Sequence, residues 1–218
     1  MFLISVISSN DVSAYDVIQN LFPDKNKDFV FNITENDIVL VKEVKNNIDV
    51  RDLEKLARSI SDTLSSEFFT KVNVGIGTPV VGVKDLARSF KEAQTALEVG
   101  KVFDTDKNIV SYDNLGIARL IYHLPTTLCE TFLKEVFKKN SIESLDHETL
   151  FTIQKFFENS LNVSETSRKL FVHRNTLVYR LDKIKKLTGL DLREFDHAII
   201  FKIALMVKKY LAANPTKF

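Results

Sequence analysis

The side chains best equipped for chemistry are concentrated in residues 164–188. Seven of them are basic (Arg168, Lys169, Arg174, Arg180, Lys183, Lys185, Lys186) and two acidic (Glu165, Asp182), a local charge of +5. Interleaved with them are Ser164, Thr166, Ser167, Asn175, Thr176 and Tyr179, which exchange hydrogen bonds without carrying charge. Such a mixture suits nucleic acid. Asn reads adenine and Arg reads guanine through paired hydrogen bonds, Thr and Tyr reach a base methyl or a phosphate, and Lys neutralises phosphate.

The order of these residues predicts two helices and a turn. Ser164 fits as an N-cap, followed by a short helix from Glu165 to Leu170. Phe171-Val172-His173 makes a tight connection. Arg174 or Asn175 opens a longer helix that runs to Thr188 and stops at Gly189. Two short helices joined by three or four residues, the second longer and cationic, form a DNA-binding helix-turn-helix. At 3.6 residues per turn Leu177, Leu181 and Ile184 share one face and pack on Leu170 and the preceding helix. Asn175, Thr176, Tyr179, Lys183 and Lys186 occupy the opposite face, with Arg180 at its margin. The start of such a helix meets the bases, so Arg174, Asn175, Thr176 and Tyr179 lead as readers, while Lys183, Lys185 and Lys186 hold the backbone. Ser164, Thr166 and Ser167 are placed to donate to a phosphate. Pairing with Asp182, or with an acidic group of another helix, competes for Arg180. His173 is expected to orient the turn.

Other chemistry is sparse. The single cysteine, Cys129, excludes an intrachain disulfide, and the four histidines are too far apart for a helical metal site. Cys129 stands in the amphipathic stretch PTTLCETFL and is expected to be a small core residue. No metal or other cofactor is expected. The leading MFLISVIS lacks a basic flank and a cleavage site, so it reads as a buried strand rather than a secretion signal. No apolar run approaches the roughly 20 residues that span a bilayer. A cytoplasmic location and no membrane partner follow as expectations.

The 218 residues carry 30 basic and 29 acidic groups, which alone would argue against a nucleic-acid partner. The charge is unevenly divided, however: residues 141–218 hold 13 basic and 9 acidic side chains, and residues 1–140 hold 17 and 20. The first part alternates strand and helix periodicities in the order β-α-β-β-α-β-α-β, with Asp11 or Ser13 capping the first helix. Thr34-Glu35-Asn36 joins a hairpin. Leu86, Phe90, Ala93 and Leu97 mark the apolar face of a helix stopped near Gly100. Gly75 and Gly77 in VGIGTP lack phosphate-loop spacing and are expected to permit a tight turn before Pro79. After Gly116 only helical patterns remain. The expected division is an α/β domain at 1–120, a helical connector at 121–145 and a DNA-binding domain at 146–218. Its fold class is α+β, an α/β sandwich with a mostly antiparallel sheet followed by an all-α helix-turn-helix domain.

The run Val172-His-Arg-Asn-Thr-Leu-Val-Tyr-Arg-Leu181, continuing through Lys183-Ile184 to Thr188-Gly189-Leu190-Asp191-Leu192, closely resembles the C-terminal helix-turn-helix of PucR/CdaR-type bacterial regulators. The resemblance covers about Leu150 to Leu211. Val74-Gly75-Ile76-Gly77, Leu86, Ser89-Phe90, Glu92-Ala93, Ala96-Leu97 and Tyr112-Asp113-Asn114-Leu115-Gly116 resemble the degenerate GGDEF-like domain that precedes it. The resemblance implies operator binding by a homodimer. The sequence departs from a working diguanylate cyclase at two points. The hairpin Phe31 to Asp37 has no glycine pair to admit a nucleotide, and the first strand has no aspartate for magnesium, so no catalytic residue is expected. Family members often carry an N-terminal sensing domain, for which this length leaves no room, so an effector or a separate sensor partner is expected.

Overall fold

A computed structural model describes residues 1–8, 13–104, 106–137 and 145–214. They form two compact units, Met1–His123 and Leu124–Phe218. Asp11, one of the two caps considered, lies outside the described residues, as does the segment 138–144 within the expected connector.

In the first unit β1 (Phe2–Ser8) is the central strand. Phe2, Leu3 and Ile4 are all buried, because this strand is covered on both faces. α1 (Ala14–Leu21) follows, capped by Ser13, whose side chain accepts from the Asp16 N–H. β2 (Asp28–Asn32) and β3 (Asp37–Lys42) pair antiparallel, with Asn32 opposite Ile38. The Thr34 hydroxyl closes their turn. It accepts from the Asn36 and Asp37 N–H groups at 3.2 and 3.0 Å and donates to the Asp37 carboxylate at 2.9 Å. α2 (Val50–Phe68) starts at Asp49 and buries Leu53, Ala57, Ile60 and Leu64 along one stripe. β4 (Lys71–Ile76), α3 (Leu86–Phe103) and β5 (Ile109–Ser111) form a parallel βαβ crossover. The sheet order is β2-β3-β1-β4-β5, antiparallel except for the last pair.

Alternation along the strands divides the core. Ile4, Leu40, Val74 and Ile76 face α1 and α2. Leu3 and Val39 face α3, against Ala93 and Leu97. The buried seam of α3 differs in part from the expected one. Its buried residues are Ser89, Ala93, Ala96, Leu97, Val99 and Gly100, so Ala93 and Leu97 lie in it as expected, while Leu86 and Phe90 are only half-buried. Gly100 lies in the last turn of α3, near its end as expected, and its carbonyl accepts from the capping Asp104 N–H.

The same seam corrects the reading of Gly75 and Gly77. Neither has a positive φ. A Cβ on Gly75 would stand 2.2 Å from the Ala93 carbonyl oxygen, and one on Gly77 would stand 1.9 Å from that of Ser89. Both are glycine because α3 lies directly on β4, small residue against small residue. Replacing Gly77 with alanine would push on helix backbone, which cannot rotate away. The expected cost is about 2 kcal/mol, read as a lower melting temperature for the first unit.

A short helix, α4 (Ile117–Tyr122), closes this unit after Gly116, whose φ of +53° favours glycine. Among the described residues of the second unit the regular elements are all helices: α5 (Thr126–Val136), α6 (His147–Glu158), α7 (Val163–Lys169), α8 (Arg174–Thr188) and α9 (Phe195–Ala213). Its core joins Ile153, Phe156, Leu177, Leu181, Ile184, Leu192 and Phe201. α5 packs on α9, and the Tyr210 hydroxyl donates to the Leu124 carbonyl at 3.2 Å. Cys129 is buried in α5, and desolvation pushes its thiol pKa up, away from the reactive thiolate.

Candidate nucleic-acid interface

α7 and α8 are built by their ends. The cap of α7 is Asn162 rather than Ser164: its side chain accepts from the Glu165 N–H at 3.0 Å, and the helix starts at Val163. α7 ends with the Phe171 N–H bonded to the Arg168 carbonyl and the Val172 N–H to that of Ser167. This paired C-terminal closure usually employs glycine in its left-handed position. Here Phe171 occupies it, at φ +55°, with its ring 96% exposed. His173 then caps α8, its Nδ1 accepting from the Asn175 N–H at 3.2 Å. Gly189, at φ +79°, ends α8 with its N–H on the Lys185 carbonyl.

The two faces of α8 follow the helical period. Leu177, Leu181 and Ile184 are fully buried. Arg174, Asn175, Thr176, Tyr179, Lys183 and Lys186 are exposed. Tyr179 presents 71% of its surface, and Arg174 has no acidic partner among the described residues. Ser164 is exposed as well.

Three of the side chains expected to contact DNA point elsewhere. Thr166 is completely buried and its hydroxyl donates to the Asn162 carbonyl at 2.7 Å. Ser167 is buried too, donating to the Ser164 carbonyl at 3.0 Å. Neither offers a donor to an outside phosphate, since short hydroxyl side chains in a helix turn back onto the preceding turn. Arg180 is half-buried against α6, ion-paired with Glu148 and donating to the Thr152 hydroxyl at 3.2 Å. Of the two competing fates for Arg180, the acidic group of another helix prevails.

Further ion pairs trim the cationic surface. Arg168 pairs with Glu165 at 2.8 Å, and Lys183 with Asp146 at 3.5 Å. Both pairs are exposed and weak, so solvent or a competing anion displaces them at little cost. Lys185 differs, because it serves an internal network. Buried Asp191 accepts from Lys185 Nζ at 3.1 Å and, in a fork, from Arg193 Nε and Nη2 at 2.7 and 2.8 Å. Arg193 Nη2 also reaches Asp182 at 2.7 Å. The Asp191 N–H donates to His197 Nδ1 on α9 at 3.3 Å. The hydrogen bonds from Arg193 hold the Asp191 carboxyl far below its ordinary pKa. This network ties the last turns of α8 to the start of α9. The roles of Asp191, Arg193 and Phe171 are absent from the sequence expectations, where Asp191 stands only in the family run and Phe171 only in the turn. An Asp two residues before an Arg just after a helix-ending glycine is the available signal for the first two.

In the first unit, Glu35 is exposed at the hairpin tip, and the Asp37 carboxylate is engaged by Thr34. Among the described residues no three His, Cys, Asp or Glu side chains are grouped to hold a metal, and no helix is long and apolar enough to cross a membrane.

A short capped helix, a tight turn and a longer cation-bearing helix, joined in one chain to an α/β unit, define a two-unit helix-turn-helix protein. The family model of the PucR C-terminal helix-turn-helix domain matches residues 149–207, and that of the GGDEF-like domain matches residues 1–99. The chain thus carries two domain types, GGDEF-like and PucR C-terminal helix-turn-helix, and in both it is similar to PucR/CdaR-type regulators. It is 27% identical over 190 residues to the carbohydrate diacid regulator of Escherichia coli, covering 85% of this chain and 49% of that one. It is 26% identical over 150 residues to the purine catabolism regulatory protein of Bacillus subtilis, covering 68% and 28%. To the DNA-binding transcriptional activator AdeR of Bacillus subtilis it is 26% identical over 185 residues, covering 81% and 42%. The chain thus spans about half the length, or less, of these curated relatives.

Proposed function

We propose that the chain is a DNA-binding transcriptional regulator that reads double-stranded operator DNA through α8. The observation that carries this reading is the outward face of α8, where Arg174, Asn175, Thr176 and Tyr179 stand exposed at the N-terminal half over a fully buried Leu177–Leu181–Ile184 seam. These four are the base readers. Lys183 and Lys186 hold phosphates, together with Lys169 at the end of α7, and Ser164 donates from its start. The exposed Phe171 ring adds an apolar contact at the turn. Arg180, Thr166 and Ser167 support the interface from behind rather than touching DNA. One such helix makes too few contacts for tight specific binding, so the chain works as a homodimer whose two α8 helices address half-sites about 34–36 Å apart.

Residues 1–120 act as a non-catalytic platform and residues 121–145 as a connector to the DNA-binding domain at 146–218. The non-catalytic reading rests on a hairpin turn filled by Thr34 hydrogen bonds and a β1 without a carboxylate. A small-molecule effector or separate sensor supplies the signal, in the cytoplasm. A competition assay at stated salt tests the DNA reading: a specific duplex is expected to outcompete random DNA, and equal competition contradicts it. Incubation with GTP and magnesium is expected to yield no cyclic dinucleotide, and its formation would overturn the non-catalytic reading.

A further inference from the structure

α3 covers only part of its face of the sheet. Beyond it, β2 and β3 leave a groove of about 590 Å³ bordered by Phe29, Phe31, Ile33, Val41, Val83 and Phe90. Phe29 and Phe31 stand opposite Val41 and Val39 in the strand register, so they point to the α3 side of the sheet, past the reach of the helix. They are 54% and 43% exposed, Ile33 is 47% and Val83 is 83% exposed. No charged side chain lines the groove; the terminal amine of Met1, which also borders it, donates to the Ser89 hydroxyl at 3.5 Å. Leu86 and Phe90, the large residues absent from the buried seam of α3, border it instead.

From these residues we infer that the groove is the dimer interface, and that its occupant is the same surface of a second copy of this chain. The assignment rests in part on the DNA reading above, which requires two reading heads. The area supports it independently. With a whole aromatic side chain near 200 Å² and a branched aliphatic one near 150 Å², the exposed fractions of these four residues amount to roughly 400 Å² of apolar surface. That is half of the about 800 Å² per partner that a standard stable interface buries, most of its apolar share, and Leu86, Ala87 and Phe90 border the same surface. The shape also suits a two-fold contact, in which each surface meets itself. Exposed Phe29, Phe31 and Val83 form the rim of the groove, so each copy offers both a ridge and a hollow.

Sedimentation of the 218-residue chain without DNA tests this directly. The chain is expected to be dimeric at micromolar concentration. Phe31→Asp is expected to raise the dimer dissociation constant about 30-fold or more, as loss of a central contact does. Val83→Asp lies outside the strands and is expected to do the same without risk to the sheet. Phe69→Asn, which removes an equally exposed aromatic outside the groove, is expected to leave the dimer intact. A monomeric chain, or a dimer that survives both aspartates, would overturn the inference. A parallel gel shift keeps the two readings apart. A dimer that binds no duplex refutes DNA reading alone, whereas a monomer that binds duplex specifically refutes this interface and the homodimer but leaves DNA reading by α8 standing.

Discussion

Replacing Asp191 with asparagine is expected to destabilise the second unit by about 3 kcal/mol. Asp191 is 5% exposed and its two oxygens accept four charge-assisted or backbone hydrogen bonds. Removing one partner of a buried charged network costs about 3–5 kcal/mol. The lower end applies here, because Arg193 retains Asp182 and is partly exposed. Thermal unfolding of the second unit reads the effect. Acid titration adds a signature. The folded-state pKa of Asp191 is depressed, so its contribution is fully present above the ordinary aspartate value of about 3.9 and is lost as pH falls below it. The wild-type second unit is expected to lose stability below about pH 4, and Asp191→Asn to flatten that slope. An unchanged slope would refute the role given to the network. Because Asp191 holds the C-terminal end of α8 to α9, the variant is also expected to weaken DNA binding indirectly.

The double variant Asn175→Ala/Tyr179→Ala is expected to weaken operator binding by about 100-fold while leaving the melting temperature unchanged. A paired Asn–adenine contact discriminates by about 1–3 kcal/mol, and a tyrosine contact adds about 1 kcal/mol. Both side chains are exposed, so folding loses little. The salt dependence is the control. Neither residue is charged, so the slope of log affinity against log salt should hold, whereas Lys186→Ala should reduce it by about one unit. Arg180→Ala should behave oppositely to the double variant, lowering the melting temperature through loss of Glu148 and Thr152. Normal binding by the double variant would remove α8 as the reading helix.

The contrast between Asn175 and Arg180 shows what a sequence conveys about such a site. Helical period alone separates the Leu177–Leu181–Ile184 seam from the outer face, and the alternation of periods identifies the strands and helices of the first unit. Partner choice is another matter. Glu148 lies 32 positions before Arg180, and no spacing rule links them. Thr166 and Ser167 are of the right type for phosphate contact, but helix geometry turns their hydroxyls inward. Ser164 and Asn162 are both good caps, and only the position of the first turn decides between them. In α3 the pattern of large apolar residues points to Leu86 and Phe90, whereas the positions laid against Gly75 and Gly77 are Ala93 and Ser89, small enough to let the helix approach. Hydrophobic periodicity weighs size, and close packing here rewards its absence.

The division of charge is likewise sharper in three dimensions. The +5 of residues 164–188 is partly neutralised by Asp146, Glu148 and Asp191 from outside that segment. What remains outward is Lys169, Arg174 and Lys186, with Lys183 loosely held. Affinity for DNA in general should therefore be modest, and sequence preference should come from the neutral readers on α8. Selection of bound sites from a random duplex pool by the full chain tests this most directly. The account predicts enrichment of an inverted repeat with half-site centres about one helical turn, or a whole number of turns, apart. A pool that emerges without a shared sequence would contradict it.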